Sequence, residues 1–131
     1  MNLFVDASAM VAMIAREEDH RMLEATFGAA ATTLCSAVSL WETARALATI
    51  RDVSMAEAAR EADRFVAAFG LRLVPIGEAE RAAAIDAYTR YGKGNHAARL
   101  NMGDCFAYAC ARANDARLLY KGDDFSKTDL A

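Results

Sequence analysis

The sequence predicts an α/β fold of three layers, with helices covering both faces of a central parallel sheet of four to five strands. Three observations carry this. Short apolar, β-prone runs occur at 3–7 (LFVDA), 32–36 (TTLCS), 71–76 (LRLVPI) and 117–122 (RLLYKG). Each is separated from the next by at least one segment with helical spacing of apolar residues. Strands joined through helices pair in parallel with right-handed crossovers, and such a sheet needs helices on both faces to leave water. Finally, 131 residues, 55% of them hydrophobic, with no repeat, low-complexity tract or linker, describe a single domain over 1–131.

The elements follow in order. LFVDA ends on an acid, and residues 8–17 (SAMVAMIARE) read as a helix with Met10, Met13 and Ile14 on one face. A second helix starts at Asp19 and runs to about residue 30. After the strand TTLCS comes a long helix over 37–51 with Leu40, Ala44, Leu47 and Ala48 as its apolar stripe. Ser54 caps the next helix, which turns Ala58, Ala62, Phe65 and Phe69 inward and stops at Gly70. The run 71–76 contains the only proline, which places it at a sheet edge or a strand end. A helix over 78–92 precedes a basic, glycine-flanked loop, KGNHAARLN (93–101). The helix that begins near Asp104 then leads into the strand RLLYKG. In the polar tail, Asp129 and Leu130 add a short fifth strand or nothing.

Charge and cysteine content remove several function classes. Fifteen Lys and Arg stand against 18 Asp and Glu, so no global positive field attracts nucleic acid, and any such substrate needs a local basic patch or metal ions. Three cysteines (Cys35, Cys105, Cys110) without a C-x-x-C pair argue against a disulfide framework or zinc knuckle. The start MNLFVDASAM lacks the basic region of a signal peptide, and no apolar run is long enough for a bilayer. A cytoplasmic protein with reduced cysteines is expected.

The acids carry the chemistry. Open parallel sheets place their working residues at the carboxyl ends of strands. Asp6 ends the first strand, Asp123 and Asp124 follow the last, Glu42 lies early in the helix after the second, and Asp104 opens the helix that delivers the final strand. Taken singly, each has an ordinary use: a helix cap, a solvated helix residue, an acid at a helix dipole, a turn. Together they bring like charges to one sheet edge, where repulsion and desolvation call for a cation. A set of carboxylates with no His or Cys partners suits Mg²⁺, with Mn²⁺ as a substitute, better than zinc. Such an ion is expected to activate water for in-line hydrolysis of a phosphodiester.

Four blocks, FVDASAMVAMIAREED, SLWETARAL, YGKGNHAARLNMGDCFAYACA and LLYKGDDFSKTDL, resemble PIN-domain ribonucleases, and more narrowly the VapC-type toxins of bacterial toxin–antitoxin pairs. The resemblance runs from end to end in order and spacing. It implies a PIN-like domain and an Mg²⁺-dependent endoribonuclease toxin of a type II system, inhibited by a cognate VapB-type antitoxin. A homodimer, or a hetero-oligomer with the antitoxin, is implied as well. The family's acids fall on Asp6, Glu42 and Asp104, and the fourth falls within GDDF, with Asp124 preferred over Asp123. Ser8 matches the small hydroxyl residue that supports the first acid.

If RNA is bound, Arg90, Lys93, His96 and Arg99 in and before the basic loop, with Lys121 and Lys127 around the double aspartate, are the candidates for holding phosphates. Of these, Lys93, Arg99 and Lys121 are preferred, and Tyr88, Tyr91 and Tyr120 are available for stacking on bases. Met10, Met13, Leu40 and Trp41 form a candidate apolar groove for an antitoxin segment. Two rival classes stay open: a phosphatase or receiver-like phosphotransfer domain, and a partner-binding module whose metal is structural. A receiver is disfavoured because a single acid ends the first strand and Lys121 precedes the acidic pair.

Overall fold

The computed structural model describes residues 1–131. It contains β1 (Asn2–Val5), α1 (Ala7–Ile14), α2 (His20–Ala29), β2 (Thr32–Cys35), α3 (Ala37–Arg51), α4 (Met55–Phe69), β3 (Arg72–Leu73), α5 (Glu78–Tyr91), α6 (Met102–Ala113) and β4 (Arg117–Leu119). The strands form one parallel sheet in the order β3-β2-β1-β4. The chain steps outward from β1 through β2 to β3, then returns across β1 to place β4 on its other side. That reversal makes the carboxyl ends of β1 and β4 the switch point, where open parallel sheets leave a crevice.

Alternation along the strands divides the core. Phe4, Leu34 and Leu118 face α5 and α6, joining Ala87, Ala107, Tyr108 and Phe125. Leu3, Val5, Cys35 and Leu119 face the other layer and pack with Met10, Met13 and Leu23. A third cluster, Val11, Ala44, Leu47, Ala58 and Ala62, fastens α3 and α4 to α1. The small alanine side chains of these clusters allow close helix packing.

Local signals act as expected at several ends. Ser36 and Ser39 form a capping box on α3, Ser54 caps α4 through the Glu57 amide, and Gly70 closes α4 in the left-handed region at φ 69°. Several expectations are corrected. Met10 and Met13 are core residues rather than groove residues, because α1 is buried on nearly every side. Phe69 is exposed and stacks with Phe27 and Phe65 at the surface instead of turning inward. The strand anticipated over 71–76 shrinks to Arg72–Leu73 at the sheet edge, just short of Pro75.

There is no fifth strand, because the tail is tied down by side chains. Phe125 is buried, and the Tyr108 hydroxyl donates to Asp129 Oδ1 at 2.6 Å. Arg112 also pairs with Asp129, and Arg90 lies 3.6 Å from the same carboxylate. Tyr108 is buried, so removing its acceptor leaves a desolvated hydroxyl short of a partner. Asp129→Ala is expected to destabilise the protein by about 1–2 kcal/mol in denaturant unfolding, mostly through this bond rather than the exposed ion pairs.

Candidate active site

Asp6 follows β1 directly and caps α1. Its Oδ2 accepts the Ser8 amide at 3.0 Å and the Ser8 hydroxyl at 2.5 Å. Ser8 Oγ in turn accepts the Lys121 amide at 3.0 Å, and the Asp6 amide donates to Leu119 O at 2.9 Å. Ser8 therefore fixes the rotamer of Asp6 and ties the end of β1 to the end of β4. Asp104 sits in the first turn of α6, inside a capping box: its amide donates to Asn101 Oδ1 and its Oδ2 accepts the Asn101 amide. Glu42 projects from the second turn of α3, and Asp124 from the tail after β4. Asp6, Glu42, Asp104 and Asp124 all line one cavity of about 270 Å³.

Crowding shows in the acidities. Burial pushes the Asp6 carboxyl up, against the Ser8 hydrogen bonds that favour its charged form, and the Asp124 charge adds to the rise. Asp104 is pushed up to about 7, first by burial and then by the charges of Asp124, Asp6 and Glu42, while the Asn101 amide pulls the other way. Glu42 is raised by burial and by Asp6, with Arg45 opposing. Asp6, Glu42 and Asp104 thus resist ionising, chiefly through burial and then through neighbouring negative charge, and a divalent cation offsets both.

The donor set fits a hard ion. It is all oxygen: Cys35, Cys105 and Cys110 are buried free thiols that burial raises to about 11, the His20 ring hydrogen-bonds Glu24, and His96 accepts the Ala98 amide. No three of the His, Cys, Asp and Glu side chains are grouped closely enough to enclose an ion unaided. Any ion here would therefore take part of its coordination from solvent or substrate oxygens. Gly103 leaves open the space in which the Glu42 carboxylate lies; a Cβ there would meet that carboxylate.

The other candidates are distributed less simply. Lys93, Arg99 and Lys127 line an adjoining cavity of about 390 Å³ whose wall includes Asp104, Asp123 and Asp124. Asp124 is common to both cavities, whereas Asp123 belongs only to the basic one. Lys121 borders the acidic cavity, but its ammonium pairs with Glu17 at 3.1 Å and Asp19 at 3.6 Å. Arg90 is engaged by the Asp129 cluster, Tyr91 is buried against His96, and Tyr120 packs on Phe125. Tyr88 lies in an apolar groove between α5 and α6 that contains none of the acids. Trp41 alone of the proposed apolar groove is exposed; Leu40 is half-buried.

Sequence reasoning missed Arg45 and Glu17, both of which line the acidic cavity. Arg45 had a readable signal, three residues beyond Glu42 and so on the same side of one helix. Glu17 had none, since it lies in a turn after α1 whose direction only the fold sets.

A family model described as PIN domain matches residues 3–130. A VapC ribonuclease of Mycobacterium bovis is 38% identical over 130 residues, covering 98% of this chain and 96% of that one. A VapC ribonuclease of Rhizobium meliloti is 38% identical over 139 residues, covering 97% and 98%. Among solved structures, the toxin VapC20 of Mycobacterium tuberculosis, described as cleaving the sarcin–ricin loop, superposes with a TM-score of 0.73 at 21% identity, covering 95% of this chain and 92% of that one. VapBC2 of Rickettsia felis, bound to a fragment of promoter DNA, gives 0.73 at 15% identity, with 99% and 95% covered. At these identities the two structures bear on the fold.

Proposed function

The chain belongs to the PIN-domain family, and from that premise we propose that it is the endoribonuclease toxin of a VapBC-type toxin–antitoxin pair, using Mg²⁺ or Mn²⁺ held by its four acids. Four carboxylates from four separate segments, gathered on one cavity wall at the sheet's switch point, carry this reading. Asp6 and Asp104 would hold the ion directly; Glu42 and Asp124 would complete the shell through solvent or a second ion. Bound there, the cation supplies Lewis acidity that lowers the pKa of water and offsets charge developing on the phosphate.

The chain's own residues do the rest. Ser8 keeps Asp6 aimed into the cavity, and the capping box does the same for Asp104. Lys93, Arg99 and Lys127 supply the cations that phosphates require, and their cavity shares Asp104 and Asp124 with the acidic one. Arg99 is held in the left-handed region at φ 57°, a strained conformation of a kind that concentrates at functional sites. These contacts position a phosphate backbone without reading sequence. Lys121, already paired with Glu17 and Asp19, is the weakest of the expected RNA contacts.

A VapB-type antitoxin as inhibitor and a homodimer as the working assembly belong to the same proposal. No helix is long and apolar enough to cross a membrane.

The test is incubation of the purified chain with end-labelled RNA. Cleavage is expected with Mg²⁺ or Mn²⁺, to stop with EDTA, and to return when the metal is restored in excess. Cutting that survives EDTA would overturn the metal assignment. Tight antitoxin binding with no cutting under any metal would favour the partner-binding module.

A further inference from the structure

Trp41 is the only tryptophan of the chain, and the residue is 57% exposed. The Arg45 guanidinium lies over it, 5.8 Å from the ring centre. Arg45 also lines the acidic cavity, and no carboxylate comes within ion-pair distance of it. The two cations bordering that cavity therefore differ: Lys121 is paired, whereas Arg45 is not. The indole N–H donates to no acceptor within the chain, and the Arg45 guanidinium is the charged group that meets the ring.

From this arrangement we infer that Trp41, braced by Arg45, is a stacking platform for one unpaired nucleobase of the RNA whose phosphate enters the acidic cavity. The inference rests on the ribonuclease reading and adds a base-binding subsite to it. Trp41 precedes Glu42 on α3, so the ring stands beside the cavity rather than in it. A nucleotide spans these two places naturally, because base and phosphate diverge from the sugar. Arg45 serves both, as a cation beside the phosphate and as a partner across the indole face. Stacking accepts any base, since every base offers a π-face, so the platform selects single strands over duplexes rather than one sequence over another.

The surroundings favour a base over a protein surface. Along α3 the exposed positions in line with Trp41 are Ala37, Arg45 and Thr49, so this helix itself forms no apolar strip around the ring. A partner helix or a second copy would need such a strip to bury.

Trp41 provides its own probe, because all indole fluorescence comes from this residue. With Mg²⁺ in excess, the Asp104→Asn chain, in which cleavage is slowed, is titrated with a short single-stranded RNA and with an abasic oligonucleotide carrying the same phosphates. Quenching is expected with the first and not the second. Trp41→Ala is expected to weaken RNA binding roughly 5- to 100-fold, while Trp41→Phe keeps most of it. In steady-state cleavage Trp41→Ala raises KM and leaves kcat nearly unchanged, the pattern of lost uniform binding.

Equal binding of both oligonucleotides without quenching, or a wild-type KM for Trp41→Ala, would overturn the platform while leaving the nuclease reading intact. Absence of cleavage by the wild-type chain with Mg²⁺ or Mn²⁺ would instead strike the nuclease reading. Emission that changes only with antitoxin, or only with protein concentration, would give the ring to a protein partner and likewise overturn the proposal.

Discussion

Asp104→Asn is expected to lower RNA cleavage by at least about 10³-fold, or roughly 4 kcal/mol of transition-state stabilisation, while making the metal-free protein more stable. The two effects share one cause. In the folded chain Asp104 is raised from 3.8 to about 7, chiefly because burial penalises its charge and three neighbouring carboxylates add to that penalty. A carboxyl raised on folding contributes stability that is complete below the unfolded value and is lost as pH rises through the folded one. Metal-free wild-type protein should therefore melt at progressively lower temperature from about pH 4 to pH 8. The favourable dipole at the start of α6, about 0.3–1 kcal/mol, acts in the opposite direction but is too small to restore the charge. Asparagine removes the charge and still offers an oxygen to the Asn101 amide, so the capping box survives. The melting temperature of Asp104→Asn is expected to exceed that of wild type at pH 8 without metal and to vary less with pH. Adding Mg²⁺ should raise wild type strongly and the variant little. Calorimetric scans at several pH values check this, and wild-type cleavage by the variant would remove Asp104 from the site.

Gly103→Ala should reduce cleavage about 10- to 100-fold, equivalent to roughly 1.4–2.8 kcal/mol, although it replaces a residue next to the acids with a better helix former. The three atoms nearest to an added Cβ all belong to the Glu42 side chain. Its carboxylate is the far end of a flexible chain, so it swings away and α6 keeps its course. The cost falls on the placement of Glu42, not on the fold. A double-mutant cycle separates the two. In a Glu42→Ala background that carboxylate is gone, and Gly103→Ala should raise stability by up to about 1 kcal/mol, the difference in helix propensity. In the wild-type background that gain is offset by displacing Glu42, and Mg²⁺ affinity falls. Wild-type cleavage by Gly103→Ala, or an equal stability change in both backgrounds, would show that the missing side chain does not serve Glu42.

The legibility of this protein in its sequence divides along the range of the forces involved. The long helices were readable because their signals are local: Ser36 and Ser54 cap, Gly70 stops, and apolar positions recur at helical spacing. Asp6 and Asp104 were readable as candidates because each sits at the end of an element whose limits are themselves local. That these acids point to one sheet edge followed from the parallel fold the sequence predicts, but that they line a single cavity did not. Residues 6 and 104 meet because β4 passes back across β1 to its far side, a choice made by burial of both sheet faces.

The failures have the same origin. Helix α1 is enclosed on nearly every side, so periodicity could not separate Met10 and Met13 in the core from a groove at the surface. A fifth strand was open in the sequence, but Tyr108 and Arg112, both distant in the chain, tie Asp129 instead. Lys121 looked available for phosphate until the fold brought Glu17 and Asp19 to it. Between Asp123 and Asp124, adjacent and identical, only the turn's path decides which one reaches the acidic cavity. By itself, then, the sequence determined the elements, their order and the kind of chemistry, because propensity, capping and residue type act within a few positions. Which side chains face one another, and which charges are already neutralised, was decided by tertiary packing, because those energies exist only between segments far apart along the chain.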